Sequence, residues 1–306
     1  MENIILTNNL TKKYKNKVVV DNVNMHVDKG DVYGFVGENG AGKTTVIRLI
    51  TGLIQKTGGN YYLFGVKDSD NKINTVKSAI SAIVESPSLY LNMDARTNLE
   101  MQACILGIKL GNRLEEILQL VGLGSVINEK KKAGNFSLGM RQRLGIAMAL
   151  VGNPKLIILD EPMNGLDPEG IVEIRELILK LNREQGITFI ISSHILGELG
   201  KVANKYGFIH QGKLIEEVTQ EELEERCQKN LELKVNNLDD GVNILYNIGY
   251  TNLKVINNHI IVLGDYDIEK IVINLSQNNI KILSIKSNEE GIEDYYLRLM
   301  GGLRHA

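Results

Sequence analysis

Gly37 to Thr44 read G-E-N-G-A-G-K-T and satisfy the pattern G-x-x-x-x-G-K-[ST] at every fixed position. The chemistry of such a segment is narrow. Gly37, Gly40 and Gly42 let the backbone N–H groups of the loop, those of Glu38, Asn39 and Ala41 among them, turn inward around a polyphosphate. The Lys43 ammonium then reaches the outer phosphates, and the Thr44 hydroxyl is placed to ligate Mg²⁺, with Thr45 beside it in the same first turn. A second chemically able pair, Asp160 and Glu161, closes the apolar run Leu156 to Leu159. Next to a phosphate loop, Asp160 is suited to hold Mg²⁺ and Glu161 to polarise a water for attack on a phosphoryl group.

These groups need strands to deliver them and a helix to receive the phosphates. Asp31 to Val36 (D-V-Y-G-F-V) is a short apolar run after Gly30, and Val46, Ile47, Leu49 and Ile50 give helical spacing before Gly52. Strand, loop and helix in that order point the partial positive charge of a helix N-terminus at the anion. Leu156 to Leu159 (L-I-I-L) is apolar at every position, as in a strand buried on both faces of a parallel sheet, and Pro162 stops it. A third apolar strand, Thr188 to Ile191, runs into Ser192-Ser193-His194. The expected class is α/β.

Composition narrows the setting. A length of 306 residues suggests about two domains. The formal net charge of -2 and the absence of a large basic block argue against a nucleic-acid partner, and Lys130 to Lys132 reads as a solvated loop. Cys104 and Cys227 lack metal-ligand spacing, so reduced thiols in a cytoplasmic protein are expected. The start M-E-N-I-I-L-T-N-N-L has neither the basic region nor the apolar stretch of a signal peptide. No apolar run approaches the ~20 residues of a membrane helix, so no direct membrane span is expected.

Between the phosphate loop and L-I-I-L-D-E-P, the segment Asn135-Phe136-Ser137-Leu138-Gly139-Met140-Arg141-Gln142-Arg143 opens a helix running toward Leu150. With this segment the chain resembles the nucleotide-binding subunit of ABC transporters. The resemblance rests on the ordered phosphate loop, this signature, L-I-I-L-D-E-P, N-G-L-D-P at Asn164 to Pro168, and S-S-H at Ser192 to His194. It implies a P-loop ABC-type ATPase core with a helical insert, binding ATP with Mg²⁺. It also implies two cassettes paired head to tail, each signature closing over ATP held by the other's phosphate loop. With one copy of each motif here, a second cassette, identical or paralogous, is required. By resemblance, Ser137 supplies a hydroxyl and a helix cap, and Gly139 lets the helix N-terminus approach a γ-phosphate. Asp167 sits at the dimer seam, and His194 hydrogen-bonds the γ-phosphate. Tyr14, in L-T-K-K-Y-K-N-K-V-V-V, stacks on adenine or is an ordinary exposed strand tyrosine. The signature departs from the usual L-S-G-G-Q: Phe136, Leu138 and Met140 replace leucine, the first glycine and glutamine.

The family also places a glutamine between the catalytic core and the helical insert that touches the membrane partner. In Ile80-Ser81-Ala82-Ile83-Val84-Glu85-Ser86-Pro87 the aligned residue is Glu85. A carboxylate there is a stronger Mg²⁺ ligand than an amide, so Glu85 is expected at the metal and the attacking water. A-I-V-E-S-P-S-L-Y with S-L-G-M-R-Q-R-L is similar to the bacterial subgroup that exports peptide antibiotics, including lantibiotic-immunity and bacitracin-resistance transporters.

The expected plan is a cassette over 1–222, with the helical insert at about 86–150, and an accessory α+β domain over 223–306. In the insert, Met93 to Leu106 has helical character with Asp94 as cap, and Asn112 to Glu115 resembles a capping box. The accessory piece reads strand at Leu231 to Val235, helix at Val242 and Leu245, strands at Leu253 to Ile256 and Ile260 to Leu263. A helix at Ile268 to Leu275, a strand at Ile280 to Ile285 and a last helix at Ile292 to Leu299 follow. The order βαββαβ suggests a ferredoxin-like domain. The leading functional expectation is the ATP-hydrolysing subunit of a bacterial efflux transporter, peripheral on the cytoplasmic face of the membrane and driving a separate transmembrane permease. Peptide antibiotics are the expected cargo, with another drug, a lipid or an ion as the alternative. A soluble non-transport ABC ATPase is the alternative of a different class. Translation-type members carry two cassettes in one chain and repair-type members a long coiled coil, whereas this chain has one cassette and a short insert.

Overall fold

A computed structural model of the protein describes residues 3–227, 229–288 and 291–304. The chain divides into two compact units, Met1–Gln220 and Glu221–Ala306.

The first unit opens with β1 (Asn3–Tyr14), β2 (Lys17–Val23) and β3 (His26–Asp28), an antiparallel group in which β2 and β3 both pair with β1. The fully buried β4 (Val32–Val36) then delivers the phosphate loop to α1 (Lys43–Thr51). β5 (Gly58–Leu63) and β6 (Val66–Lys67) complete the first sheet, in the order β2-β1-β5-β6 with β3 beside β1. After α2 (Ile73–Lys77) and β7 (Ile80–Ile83), the chain leaves the core as α3 (Ala95–Leu106), α4 (Arg113–Leu120) and α5 (Leu138–Leu150). It returns through β8 (Leu156–Asp160), α6 (Pro168–Gln185), β9 (Thr188–Ser193), α7 (Leu196–Leu199), β10 (Lys205–His210) and β11 (Lys213–Thr219).

The second sheet has the order β11-β10-β4-β9-β8-β7 and is parallel except for β11. Every residue of β4, β8 and β9 is buried, which is why these strands read as unbroken apolar runs rather than alternating ones. Val46, Ile47, Leu49 and Ile50 of α1 share one core with Phe35, Ile158, Ile190 and Val20, tying both sheets to the helix that follows the phosphate loop. Gly52 ends α1 in the left-handed region (φ 79°), its N–H donating to Leu49 O.

In the second unit, after α8 (Gln220–Arg226), the order is β12 (Asn230–Val235), α9 (Leu238–Asn247), β13 (Leu253–Ile256), β14 (His259–Leu263), α10 (Ile268–Gln277), β15 (Ile282–Asn288) and α11 (Ile292–Arg304). Strand order β13-β14-β12-β15, antiparallel throughout, is the ferredoxin-like arrangement of βαββαβ. Leu231, Leu233, Leu245, Ile260, Ile271 and Leu275 form its own core.

Two local expectations change. The last strand begins at Ile282, because Ile280 is spent on the turn, its N–H bonded to Leu275 O at 2.9 Å. The capping box at Asn112 to Glu115 does not form. Asn112 is already in the right-handed helical region (φ -63°, ψ -24°), from which its side chain makes no cap bond, and Glu115 instead pairs with Arg96 at 2.6 Å. Asp94 does cap α3, accepting the Thr97 N–H at 2.8 Å, and that bond holds its carboxyl below the usual carboxylate range. Asp94→Ala is therefore expected to cost about 1 kcal/mol. Because the folded pKa is the depressed one, the stabilisation is present above the unfolded value and lost as pH falls through the folded one. Thermal unfolding should show the wild-type advantage at pH 7 shrinking below about pH 4.

Candidate functional site

The site collects at the carboxyl ends of β4, β8 and β9. Glu38, Asn39 and Gly40 are exposed, and a Cβ on Gly40 (φ 82°) would meet nothing within 4 Å, so this limb of the loop borders open space. Gly42, at φ 113°, makes the bend into α1, and Thr44 and Thr45 follow half-buried in its first turn. The Lys43 side chain is only 6% exposed. Its ammonium donates to Gly37 O at 2.6 Å and lies 3.2 Å from Glu161 Oε1. That ion pair lacks hydrogen-bond alignment, so Glu161 Oε1 is a buried oxygen with no hydrogen-bond donor among the described residues.

Asp160, 2% exposed, ends β8. Its Oδ2 accepts the Thr44 hydroxyl at 2.8 Å and its Oδ1 accepts the Ser192 hydroxyl. In sequence, Ser192 stands only as the first residue of S-S-H. In the fold it lies directly across from Asp160 in the β8–β9 register, and its oxygen also accepts the Glu161 N–H at 3.0 Å. The available signal was a hydroxyl ending an otherwise buried apolar strand, where it must find partners. Glu161 adopts φ 52°, a strained region for a side chain of this size, held by N–H bonds to Ser192 O and Oγ. Its Oε2 meets His194 Nδ1 at 2.7 Å. If Nδ1 donates in a neutral ring, Nε2 is left as an acceptor.

Lys43, Thr44, Asp160, Glu161, Ser192 and His194 thus form one connected group. The Thr44 hydroxyl and Asp160 carboxylate make an oxygen pair of the type hard divalent cations take. Glu161 Oε1, ion-paired with Lys43 but not hydrogen-bonded, is the oxygen that can accept a proton from water. Open glycine backbone, a lysine, a paired hydroxyl and carboxylate, and a base held between Lys43 and His194 fit a nucleoside triphosphate with its cation.

Other expected residues lie apart from this group. Ser137 caps α5, accepting the Met140 N–H at 3.2 Å, and Asp167 caps α6, accepting the Gly170 N–H at 3.1 Å. A Cβ on Gly139 would stop 3.9 Å from Gly170 Cα and 4.0 Å from Leu166, so the signature and N-G-L-D-P segments pack together with room to spare. Among the described residues none of these three is hydrogen-bonded to the phosphate loop. Tyr14 ends β1 with 47% of its surface exposed, the Lys12 ammonium 4.7 Å from its ring centre. Glu85 follows β7 at φ 66°, and its 69%-exposed carboxylate meets Arg48 of α1 at 2.5 Å rather than Thr44 or Asp160.

The ABC transporter family profile matches residues 20–164. Over 99% of its length the chain is 42% identical to the bacitracin transport ATP-binding protein BcrA of Bacillus licheniformis, covering 99% of that protein. The chain belongs to the ABC transporter family. It is also 45% identical to the lantibiotic transport ATP-binding protein SrtF of Streptococcus pyogenes, over 68% of this chain and 87% of that one. Among solved structures, the dimeric bacterial ABC transporter cassette MJ0796 is 25% identical, with a TM-score of 0.62 over 71% of this chain and 98% of that one. This ABC chain is an ATP-binding and ATP-hydrolysing subunit.

Glu161→Gln is expected to keep nucleotide binding and slow hydrolysis roughly 10²–10⁴-fold, measured as phosphate release. Ser192→Ala should also lower turnover, because it strips a donor from Asp160 and an acceptor from the Glu161 N–H, at a stability cost of about 1–3 kcal/mol. Normal turnover in Glu161→Gln would move the base elsewhere.

Proposed function

We propose that this subunit powers a bacterial exporter that clears peptide antibiotics of the bacitracin type from the cell membrane. The observation that carries the reading is the extent of the likeness. Similarity to the bacitracin-transport relative runs through the second unit as well as the cassette, whereas similarity to the lantibiotic relative covers about the length of the cassette.

In this reading Thr44 and Asp160 hold Mg²⁺, which when bound neutralises charge on the phosphates. Lys43 binds the outer phosphates. Glu161 takes the proton from the attacking water through Oε1, which Lys43 leaves when it binds the phosphates, and His194 fixes the other carboxylate oxygen. Ser137, Gly139 and Asp167 act across a seam with a second cassette, a copy of this chain or a paralogue. Gly139 supports this, since its own fold leaves space for a Cβ and gives no internal reason for glycine.

No helix among the described residues is long and apolar enough to cross a membrane, and in this reading a separate permease supplies the pathway. A groove of about 610 Å³ between the edge strand β7 and helices α3 and α5 offers that permease an apolar seat. Leu53, Ile80, Ile83, Pro87, Leu106 and Met148 line it. The working position is peripheral, on the cytoplasmic face. Glu85 adjoins the groove through Ser86, and we assign it to coupling: it exchanges Arg48 for the metal or water when the cassettes close.

The test is co-expression with the permease that copurifies, scored as resistance to bacitracin and to lantibiotics. Bacitracin resistance that disappears in Glu161→Gln is expected; protection against neither peptide class by an active ATPase would sink the cargo assignment. Glu85→Gln should reduce resistance more than nucleotide binding, and Glu85→Ala more still. If both variants match wild type in turnover and resistance, Glu85 is an ordinary loop acid.

A further inference from the structure

Behind the phosphate loop, away from its open limb, backbone segments and the Ile209 side chain crowd against the loop glycines. A Cβ on Gly37 would lie 2.5 Å from Ile209 O, and one on Gly42 would lie 3.0 Å from Val19 O and 3.5 Å from Gly212 Cα. Gly212, in the turn between β10 and β11, is packed tighter still. At φ 82° its Cβ would fall 2.4 Å from Val19 O and 2.9 Å from Val19 C. Two hydrogen bonds cross this contact: the Gly212 N–H donates to Ala41 O at 2.8 Å, and Gly212 O accepts the Asp21 N–H at 2.8 Å. Gly212 belongs to no motif read from the sequence.

The first bond has a directional consequence. A trans peptide is planar, and its C=O and N–H point to opposite sides. Holding the Ala41 carbonyl on Gly212, behind the loop, aims the N–H of Gly42 forward, beside the free N–H groups at the start of α1. We propose that the Gln211–Gly212 turn is a positioning element of the nucleotide site, its Gly212 amide orienting the Gly42 N–H as a phosphate donor. The turn therefore contributes to nucleotide affinity from outside the recognised motifs. The proposal rests on nucleotide binding alone and holds whatever the transported cargo.

Full-length Gly212→Ala tests it against Gly186→Ala. Gly186 also has positive φ (64°), but a Cβ there meets nothing within 4 Å, so it reports backbone strain without the overlap. Melting without nucleotide and ADP affinity by calorimetry are measured for both. ADP binding should weaken roughly ten- to a hundredfold in Gly212→Ala, the loss expected for one hydrogen bond to a charged group. Gly186→Ala should bind like wild type. A folded Gly212→Ala that binds ADP as tightly as Gly186→Ala overturns the proposal. Should Gly212→Ala fail to fold, amide hydrogen exchange on the wild-type protein decides. Saturating ADP should slow exchange at Gly212 and leave Gly186 unchanged, since coupling between turn and nucleotide is reciprocal. Equal exchange at Gly212 with and without bound ADP overturns it as well.

Discussion

The site depends on one buried carboxylate having its oxygens matched. Asp160 is almost fully enclosed, and burying such a group without partners costs several kcal/mol. Thr44 supplies one partner from the first turn of α1 and Ser192 the other from the adjacent strand. These bonds require β8 and β9 to run parallel in one register and α1 to pack over them, which the shared core of Phe35, Ile47, Ile158 and Ile190 enforces. Ser192 then reaches the Glu161 N–H, so the pairing that satisfies Asp160 also holds the strained residue that follows it. Packing, register and chemistry are thus coupled through a few polar contacts.

The contact at Glu85 belongs to a different energetic class. Arg48 and Glu85 are 38% and 69% exposed, and pairs of that kind contribute about 0–1 kcal/mol. Such a contact cannot hold the loop against a competing partner. A weak pair there suits an exchangeable residue, just as the buried Asp160 contacts suit a fixed one. Gly145 of α5 leaves no room for a Cβ against Pro87, 2.6 Å away, so the segment after Glu85 is seated firmly on the signature helix.

The second unit is a different case. Its sheet, helices and core are self-contained, and its topology is one that hosts many unrelated activities. Likeness to the bacitracin-transport relative extends through it, while no nucleotide-binding motif does.

By itself, the sequence determined whatever depends on short spacing. The phosphate loop is legible because its glycines, lysine and threonine act within eight consecutive residues. The central strands are legible because burial on both faces leaves an unbroken apolar run, and the accessory domain because helical and strand periods alternate. Local caps were less secure: Asp94 caps its helix, while Asn112 had the right neighbours and the wrong backbone conformation. Tertiary structure alone decided the contacts between distant residues. Thr44 and Asp160 are 116 positions apart, Asp160 and Ser192 are 32, and Arg48 and Glu85 are 37. Ala41 meets Gly212 through backbone atoms common to nearly every residue type. The glycine at 212 permits such a pairing without naming its partner; strand order and register decide which segments meet.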